Sequence, residues 1–285
     1  MKNKELRWKY YNHALLPTCA PHEEADVESL KHKAIWKTYK PKRLFFARWV
    51  SHFDCGYETG WWYCILDEPF DITTIKSKRR RIINQAIKNF DVRIIDVNIY
   101  AEQMFNIHIA AWKSYHKTGK PSIKKDRFCE EIKQWKNIVF GAFDKENNQL
   151  AAYYLVKVNP THIDLITLKS DPAFEKKRVN HAIMFFVYNY FREDIKQGKY
   201  LCGGSRNIYH KTNYQAFREE YFGFRKAYTH LHIQYAPFIA ILIKLLYPFR
   251  KIICKLPLAI VNQINGILLM EEICRKQRKY SKNFN

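Results

Sequence analysis

The chain has 285 residues, 47% hydrophobic and 16% aromatic, which suits one or two domains with a sizeable core. Nine Gly and ten Pro exclude collagen-like and low-complexity classes, and the aromatic content excludes wholesale disorder. Lys and Arg total 49 against 27 Asp and Glu, a formal charge of +22, which points to nucleic acid, an anionic membrane face or a phosphate-bearing cofactor as partner.

Seven cysteines, with no C-x-x-C pair, argue for a reducing compartment and against a zinc or redox site. Residues 1–24 mix charges with aromatics and carry no signal-peptide pattern. No run of 18 uncharged apolar residues predicts a membrane span.

In chain order, residues 1–40 read as a peripheral basic and aromatic segment. Residues 43–50 and 61–66 read as a pair of strands. Ile75, Arg79, Ile82, Ile83, Ala86, Ile87 and Phe90 share one face of a predicted helix, and a strand over 92–97 follows. Two more helices are expected, one along Ala101, Phe105, His108, Ile109, Trp112 and Tyr115, the other over 127–135. Strands at 138–143, 149–158 and 162–168, joined by turns at 144–148 and Asn159-Pro160, predict an antiparallel meander. In the middle strand Leu150, Ala152, Tyr154, Val156 and Val158 alternate on one face.

A polar loop over 169–178 leads to one long helix over 179–195 that Gly198 ends. A strand at 199–203 comes next. Thr212-Asn213-Tyr214-Gln215 has the form of a capping box, opening a short helix that stops at Gly223. Residues 224–235 alternate as a last strand. The fold class is therefore α+β (mixed α/β), a mostly antiparallel sheet flanked by helices. Three segments are expected: 1–74, 75–235, and an apolar-basic helical tail over 236–285.

The order of these elements resembles the GNAT fold of acyl-CoA-dependent N-acyltransferases. Asn213-Tyr214-Gln215-Ala216-Phe217, running to Phe222-Gly223-Phe224, is similar to that family's late helix, which opens with N-x-x-A and ends in G-F. Ser77-Lys78-Arg79-Arg80-Arg81-Ile82-Ile83-Asn84-Gln85-Ala86 resembles the helix that opens the GNAT-like half of FemAB-like (Fem-type) aminoacyltransferases. The resemblance covers residues 75–235. It implies an N-acyltransferase, possible in cell-envelope or polysaccharide biosynthesis, that moves an acyl group from acyl-CoA (acetyl-CoA or longer) to an amine acceptor. The Fem-type alternative takes an aminoacyl-tRNA donor.

By the same resemblance, the strands over 162–168 and 199–203 splay apart and the donor fills the gap, held near Leu168, Lys169 and Asn213. The glycine-rich phosphate turn of most GNAT enzymes is replaced by Phe174-Glu175-Lys176-Lys177-Arg178-Val179. Lys176, Lys177 and Arg178 supply side-chain charge there in place of a backbone cradle. The family's tyrosine acid falls on Glu220 counted from Asn213, or on Glu219 counted back from Gly223, with Tyr221 adjacent.

Asp164 is the sole acid of its strand; it is either a general base, which needs a pKa raised by burial, or a solvent-facing residue of an alternating strand. His210 lies in a loop beyond a strand end, a common catalytic place and also a common surface one. Glu219 and Glu220 read equally as a solvated helix face, Asn213 as a cap, and residues 76–81 as a solvated basic face. No metal site is expected. The tail holds two apolar runs with basic flanks, which fit an interfacial anchor on an anionic cytoplasmic leaflet or helices covering the sheet or a partner chain. A non-catalytic nucleic-acid or lipid-binding protein that kept the fold is the reading of another class.

Overall fold

A computed structural model describes residues 7–31, 33–37, 43–115, 123–208, 213–253 and 259–283. Its strands are β1 (Trp8–Tyr11), β2 (Ala14–Pro17), β3 (Phe46–Ser51), β4 (Trp61–Leu66), β5 (Phe90–Ile94), β6 (Ile138–Asp144), β7 (Leu150–Val158), β8 (His162–Ser170), β9 (Tyr200–Ser205) and β10 (Arg225–Tyr235). Its helices are α1 (Ser77–Asn89), α2 (Val97–Tyr115), α3 (Lys125–Lys133), α4 (Val179–Tyr190), α5 (Arg192–Lys196), α6 (Tyr214–Phe222), α7 (Pro237–Leu246), α8 (Arg250–Ile253) and α9 (Ala259–Asn283). This is the expected α+β architecture.

The contacts divide the chain into two compact units, each built from segments distant in sequence. One holds residues 1–63, 205–212 and 226–285, the other 64–204 and 213–225. Non-local pairing is the reason. In the first unit the strand order is β1-β2-β3-β10-β4. Strand β10 runs antiparallel to β3 from His230↔Ser51 to Tyr235↔Phe46, so β3 and β4 are not partners as expected but lie on either side of β10. Helix α9 packs its Met270, Ile273 and Cys274 against Phe46, Val50, Trp61 and Leu231. Gly60 is needed there, since a Cβ would come within 2.8 Å of the Ile273 side chain. A second cluster joins Trp8, Leu15, Leu30, Leu44 and Ala47.

The second unit has the order β9-β8-β7-β6-β5. The meander forms as predicted, with β6, β7 and β8 antiparallel in sequence. Strand β7 is buried from Leu150 to Val156, on both faces rather than one. On one side α2 and α3 bring Met104, Ile107, Phe128 and Ile132 against Val139, Phe143, Tyr153 and Leu155. Elsewhere in the unit α4 buries Val179, Ile183 and Val187 completely, and Phe140 meets Phe186 and Tyr190 edge-on.

The long helix expected over 179–195 is broken. α4 ends at Tyr190; Phe191 beyond it, with φ of −91° and ψ of 15°, is not helical, and the short α5 starts at Arg192. The Phe191 ring is buried and meets Phe140 at 6.1 Å, so packing holds the break where periodicity alone continues. Gly198 ends α5 at φ +91°, and Gly223 ends α6 at φ +73°, both as expected for left-handed C-caps. Six described cysteines are free thiols.

Candidate active site

Strands β8 and β9 run parallel for three residue pairs: His162↔Tyr200, Ile163↔Leu201 and Asp164↔Cys202. β8 then continues to Ser170 on its β7 partner alone, and β9 continues to Ser205. A bulge in β8 lies where the pairing ends. Val156 pairs with Leu165 and Leu155 with Thr167, so Ile166 is an extra residue on β8, and an extra residue bends the strand that carries it. The fork opens directly beyond Asp164 and Cys202, in the place that the resemblance assigns to the donor.

Arg218, from α6, lies at the mouth of this fork. It is 1% exposed. Its Nη1 donates to the Gly203 carbonyl at 2.8 Å, and its Nη2 donates to the Tyr154 hydroxyl at 2.6 Å and the Tyr214 hydroxyl at 3.2 Å. The guanidinium thus ties β7 to β9, which lie on either side of β8. A side chain at Gly203 would collide with Nη1, so only glycine lets the cation lie against the strand. Nε makes no hydrogen bond, and no carboxylate meets the guanidinium among the described residues. A buried cation compensated only by dipoles is costly and will draw negative charge to itself. Burial raises the pKa of Tyr154 and Tyr214, so both phenols keep their protons. It also pushes the Cys202 thiol up to about 12, which rules it out as a thiolate nucleophile near neutrality.

A second cluster forms the N-terminus of α4. Arg178 adopts the left-handed conformation that glycine would favour, at φ +67°, as the N-cap residue. The amides of Glu175, Lys177 and Arg178 are spent on bonds within the turn, leaving those of Val179 and Asn180 at the open helix end. Lys176 and Arg178 are exposed. Lys177 is not available in the same way: its Nζ holds the buried Asp144 at 2.7 Å and Glu146 at 2.7 Å. One turn into α4, His181 is buried between the rings of Phe217 and Tyr221, at 4.8 and 4.9 Å, with neither ring nitrogen hydrogen-bonded. Burial, aided by the Arg178 charge, lowers its pKa to about 4.

The sequence-predicted residues fall into three groups. Asp164 and Leu168 lie on β8 at the fork, with Lys169 near its end. Asp164 lacks the raised pKa that a general base needs. Burial pushes its carboxyl up, but hydrogen bonds and charges from His162, Asn159 and Lys157 outweigh that and hold it below the usual range. Asn159 donates to it at 2.9 Å, so it also braces the β7–β8 turn. Lys169 is half-buried, and that burial lowers its ammonium pKa. Glu220 is bound to Arg79 of α1 at 2.5 Å, and the same guanidinium stands 5.7 Å over the Tyr221 ring, so these two are brought together with the basic run of α1. Asn213 occupies the N-cap of α6 yet makes no capping hydrogen bond; Gln215 instead reaches the Gly204 carbonyl at 3.5 Å. His210 lies outside the described residues.

Sequence reasoning missed Arg218 and His181. Arg218 sits in the late-helix motif as one charge among several, and only the Gly203-Gly204 pair on the facing strand signals that something approaches the backbone closely. The described residues hold no group of His, Cys, Asp and Glu that could bind a metal.

No protein-family model matches the sequence, and no curated protein does either. Solved structures share the fold. The crystal structure of FemX is 10% identical with a TM-score of 0.50, covering 84% of this chain and 85% of that one. The C-terminal domain of a protein from Agrobacterium fabrum, assigned as a lysylphosphatidylglycerol synthetase, is 8% identical with a TM-score of 0.51, covering 83% of this chain and 82% of that one. At such identities the likeness is one of fold: the chain has a Fem/GNAT-like fold.

Proposed function

We propose that the chain is an N-acyltransferase that moves an acyl group from acyl-CoA to an amine acceptor in the cytoplasm. The observation behind this reading is the fork between β8 and β9 with a buried cation at its mouth that no carboxylate neutralises among the described residues. Acyl transfer needs a polarised carbonyl and stabilisation of the oxyanion that forms when the amine attacks. Arg218 supplies that charge, fixed in place by Gly203, Tyr154 and Tyr214. Lys176 and Arg178, with the first amides of α4, take the donor phosphates, and Leu168, Lys169 and Asn213 flank the donor. Asp164, held ionised, suits a hydrogen bond to the neutral acceptor amine; as the nitrogen attacks, the carbon–sulfur bond to CoA breaks, and the proton the nitrogen loses passes through solvent to the leaving thiolate. Glu220 and Tyr221 border the site from α6.

A second reading, an aminoacyl-tRNA donor, is favoured by the extent of the likeness to FemX, which spans residues of both units. It also fits a phosphate site made of side chains in place of a glycine cradle.

The test is a transfer assay on the full chain with acetyl-CoA, longer acyl-CoAs and aminoacyl-tRNA against a panel of amines, alongside thermal melts with each donor. The expected result is turnover with one donor class and stabilisation by that class. Arg218→Met should lower turnover by about a hundredfold or more, the scale of losing an oxyanion donor, while donor stabilisation persists. If no donor stabilises the chain and none is turned over, the transferase reading fails and the non-catalytic one stands.

A further inference from the structure

In the first unit, α7, the 3-10 turn over Tyr247–Phe249, and α8 follow β10. Phe238, Ile241, Leu242, Leu245, Phe249 and Ile252 are between 39% and 75% exposed. Their spacings of three, one, three, four and three residues place them on one continuous helical stripe. Ile243, off that stripe, is buried, so the segment has a committed inner face and an equally apolar outer one. An exposed apolar patch of this kind marks an interaction surface.

The charges identify the partner. Residues 236–270 contain no Asp or Glu at all, while Lys244, Arg250, Lys251 and Lys255 fall among the apolar residues. Lys244 is exposed beside the stripe, placed to keep its ammonium in water while its stem joins the apolar face. The stripe offers Phe, Ile and Leu only, with no polar group to fix a register against a protein surface. At 1.5 Å per residue the ten residues of α7 extend about 15 Å, so the helix lies along an interface. No helix among the described residues is long and apolar enough to cross a membrane.

We propose that the α7–α8 stripe docks the protein on an anionic lipid bilayer, with the six apolar side chains entering the headgroup boundary and Lys244 meeting acidic headgroups. This goes beyond the transferase reading and does not depend on it. The apolar contribution dominates, because the basic residues nearby are largely paired within the unit. Arg250 is held by Glu272 at 3.2 Å, Lys276 by Glu272 at 3.1 Å, and Arg275 by Glu271 at 2.6 Å. Binding should therefore survive salt better than the net charge of the chain suggests.

The experiment is flotation of the full chain with vesicles of phosphatidylcholine, alone or mixed with phosphatidylglycerol, at low and high salt. The wild type should bind both, more strongly with phosphatidylglycerol, and keep most of that binding in high salt. The triple variant Phe238→Ser, Ile241→Ser, Leu245→Ser should lose about tenfold or more in partitioning, given the apolar surface removed. Its melting temperature should not fall, because the three side chains are exposed. Phe249→Trp gives a readout that does not rely on the triple variant folding: its emission, less that of the wild type with its seven native Trp, should shift to the blue on vesicles. An unshifted emission, a triple variant that binds as the wild type does, or no vesicle binding at all would overturn the proposal. So would a lipid-free dimer that the triple variant dissociates, because the stripe would then be covered by a second copy.

Discussion

Arg218 and Gly203 constrain each other, and that makes their substitutions separable. In Arg218→Met the cation goes but an apolar chain of similar length refills the space among Tyr154, Tyr214 and Phe224. Losing the desolvation cost of the charge offsets part of this change, but the Gly203 carbonyl and the Tyr154 and Tyr214 hydroxyls lose their buried donor, so about 1 kcal/mol of stability should go. In Gly203→Ala the Cβ meets Nη1 and lies 3.0 Å from the Cys64 carbonyl, so the guanidinium is displaced and the strand strained. We expect Gly203→Ala to lose about 1–3 kcal/mol of stability, the scale of an overpacked site, and to lose turnover as well. Arg218→Met should lose turnover with the smaller loss of stability. Urea denaturation beside the transfer assay checks both. His181 provides a pH test at the same scale. Its folded pKa near 4 lies below the ordinary 6.5, so the unfolded chain takes up a proton between those values that the folded chain refuses. Stability from this residue is complete above pH 6.5 and declines as pH falls toward 4, by about 3 kcal/mol for a shift of that size. Asp164 adds a loss in the same direction only below 3.8, since its folded pKa is lowered. Denaturation at pH 7 and pH 4.5 should therefore show a drop that His181→Gln largely abolishes.

At the scale of elements, the turn before α4 divides the work among three adjacent basic residues. Lys177 neutralises Asp144, a carboxylate 1% exposed, whereas Lys176 and Arg178 face solvent. Lys177→Ala should lower the melting temperature by a few degrees, because Asp144 is left buried without its cation, and should leave donor affinity nearly unchanged. Lys176→Ala with Arg178→Ala should do the reverse, with a several-fold loss of donor affinity that shrinks in high salt. The sequence shows three basic residues and cannot distinguish them, since the partner of Lys177 is 33 residues away. The same limit explains which elements were legible. The meander was readable because β6, β7 and β8 pair with their sequence neighbours and turn at Asn148, which takes φ +56°, and at Asn159-Pro160. The insertion of β10 between β3 and β4 was not, because nothing local encodes a partner nearly 180 residues distant. The bulge at Ile166 is equally hidden: one extra residue leaves the composition of β8 unchanged while shifting its pairing, just beyond the last β8–β9 pair. The break at Phe191 defeats periodicity for a related reason, since Phe suits both a continued α4 and the pocket beside Phe140.

For the whole molecule, the formal charge of +22 attracts any phosphate-bearing donor, so affinity for a donor says little about which donor is used. The salt dependence of that affinity says more. Each phosphate contact on a nucleic acid releases condensed counterions and adds about 0.7 to 0.9 to the slope of log affinity against log salt. A tRNA held along a basic surface makes many such contacts, whereas acyl-CoA carries few phosphates and meets two exposed cations, Lys176 and Arg178. With acyl-CoA as donor the slope should be shallow, about −2 or less steep, and Lys176→Ala with Arg178→Ala should remove most of it. With an aminoacyl-tRNA donor the slope should be steeper than about −4, and the same two substitutions should trim it by only about 1.5, because contacts elsewhere persist. Basic residues of α1 are candidates for those contacts: Arg79 is engaged with Glu220, but Lys78 and Arg81 are exposed on the same helix. Affinity is therefore measured by fluorescence anisotropy across a salt series, for the wild type and the double variant, with the donor that the transfer assay turns over. Turnover of aminoacyl-tRNA with a steep slope that the double variant leaves nearly intact would replace the acyl-CoA reading with the aminoacyl-tRNA one and keep the fork, Arg218 and the amine acceptor in the same roles.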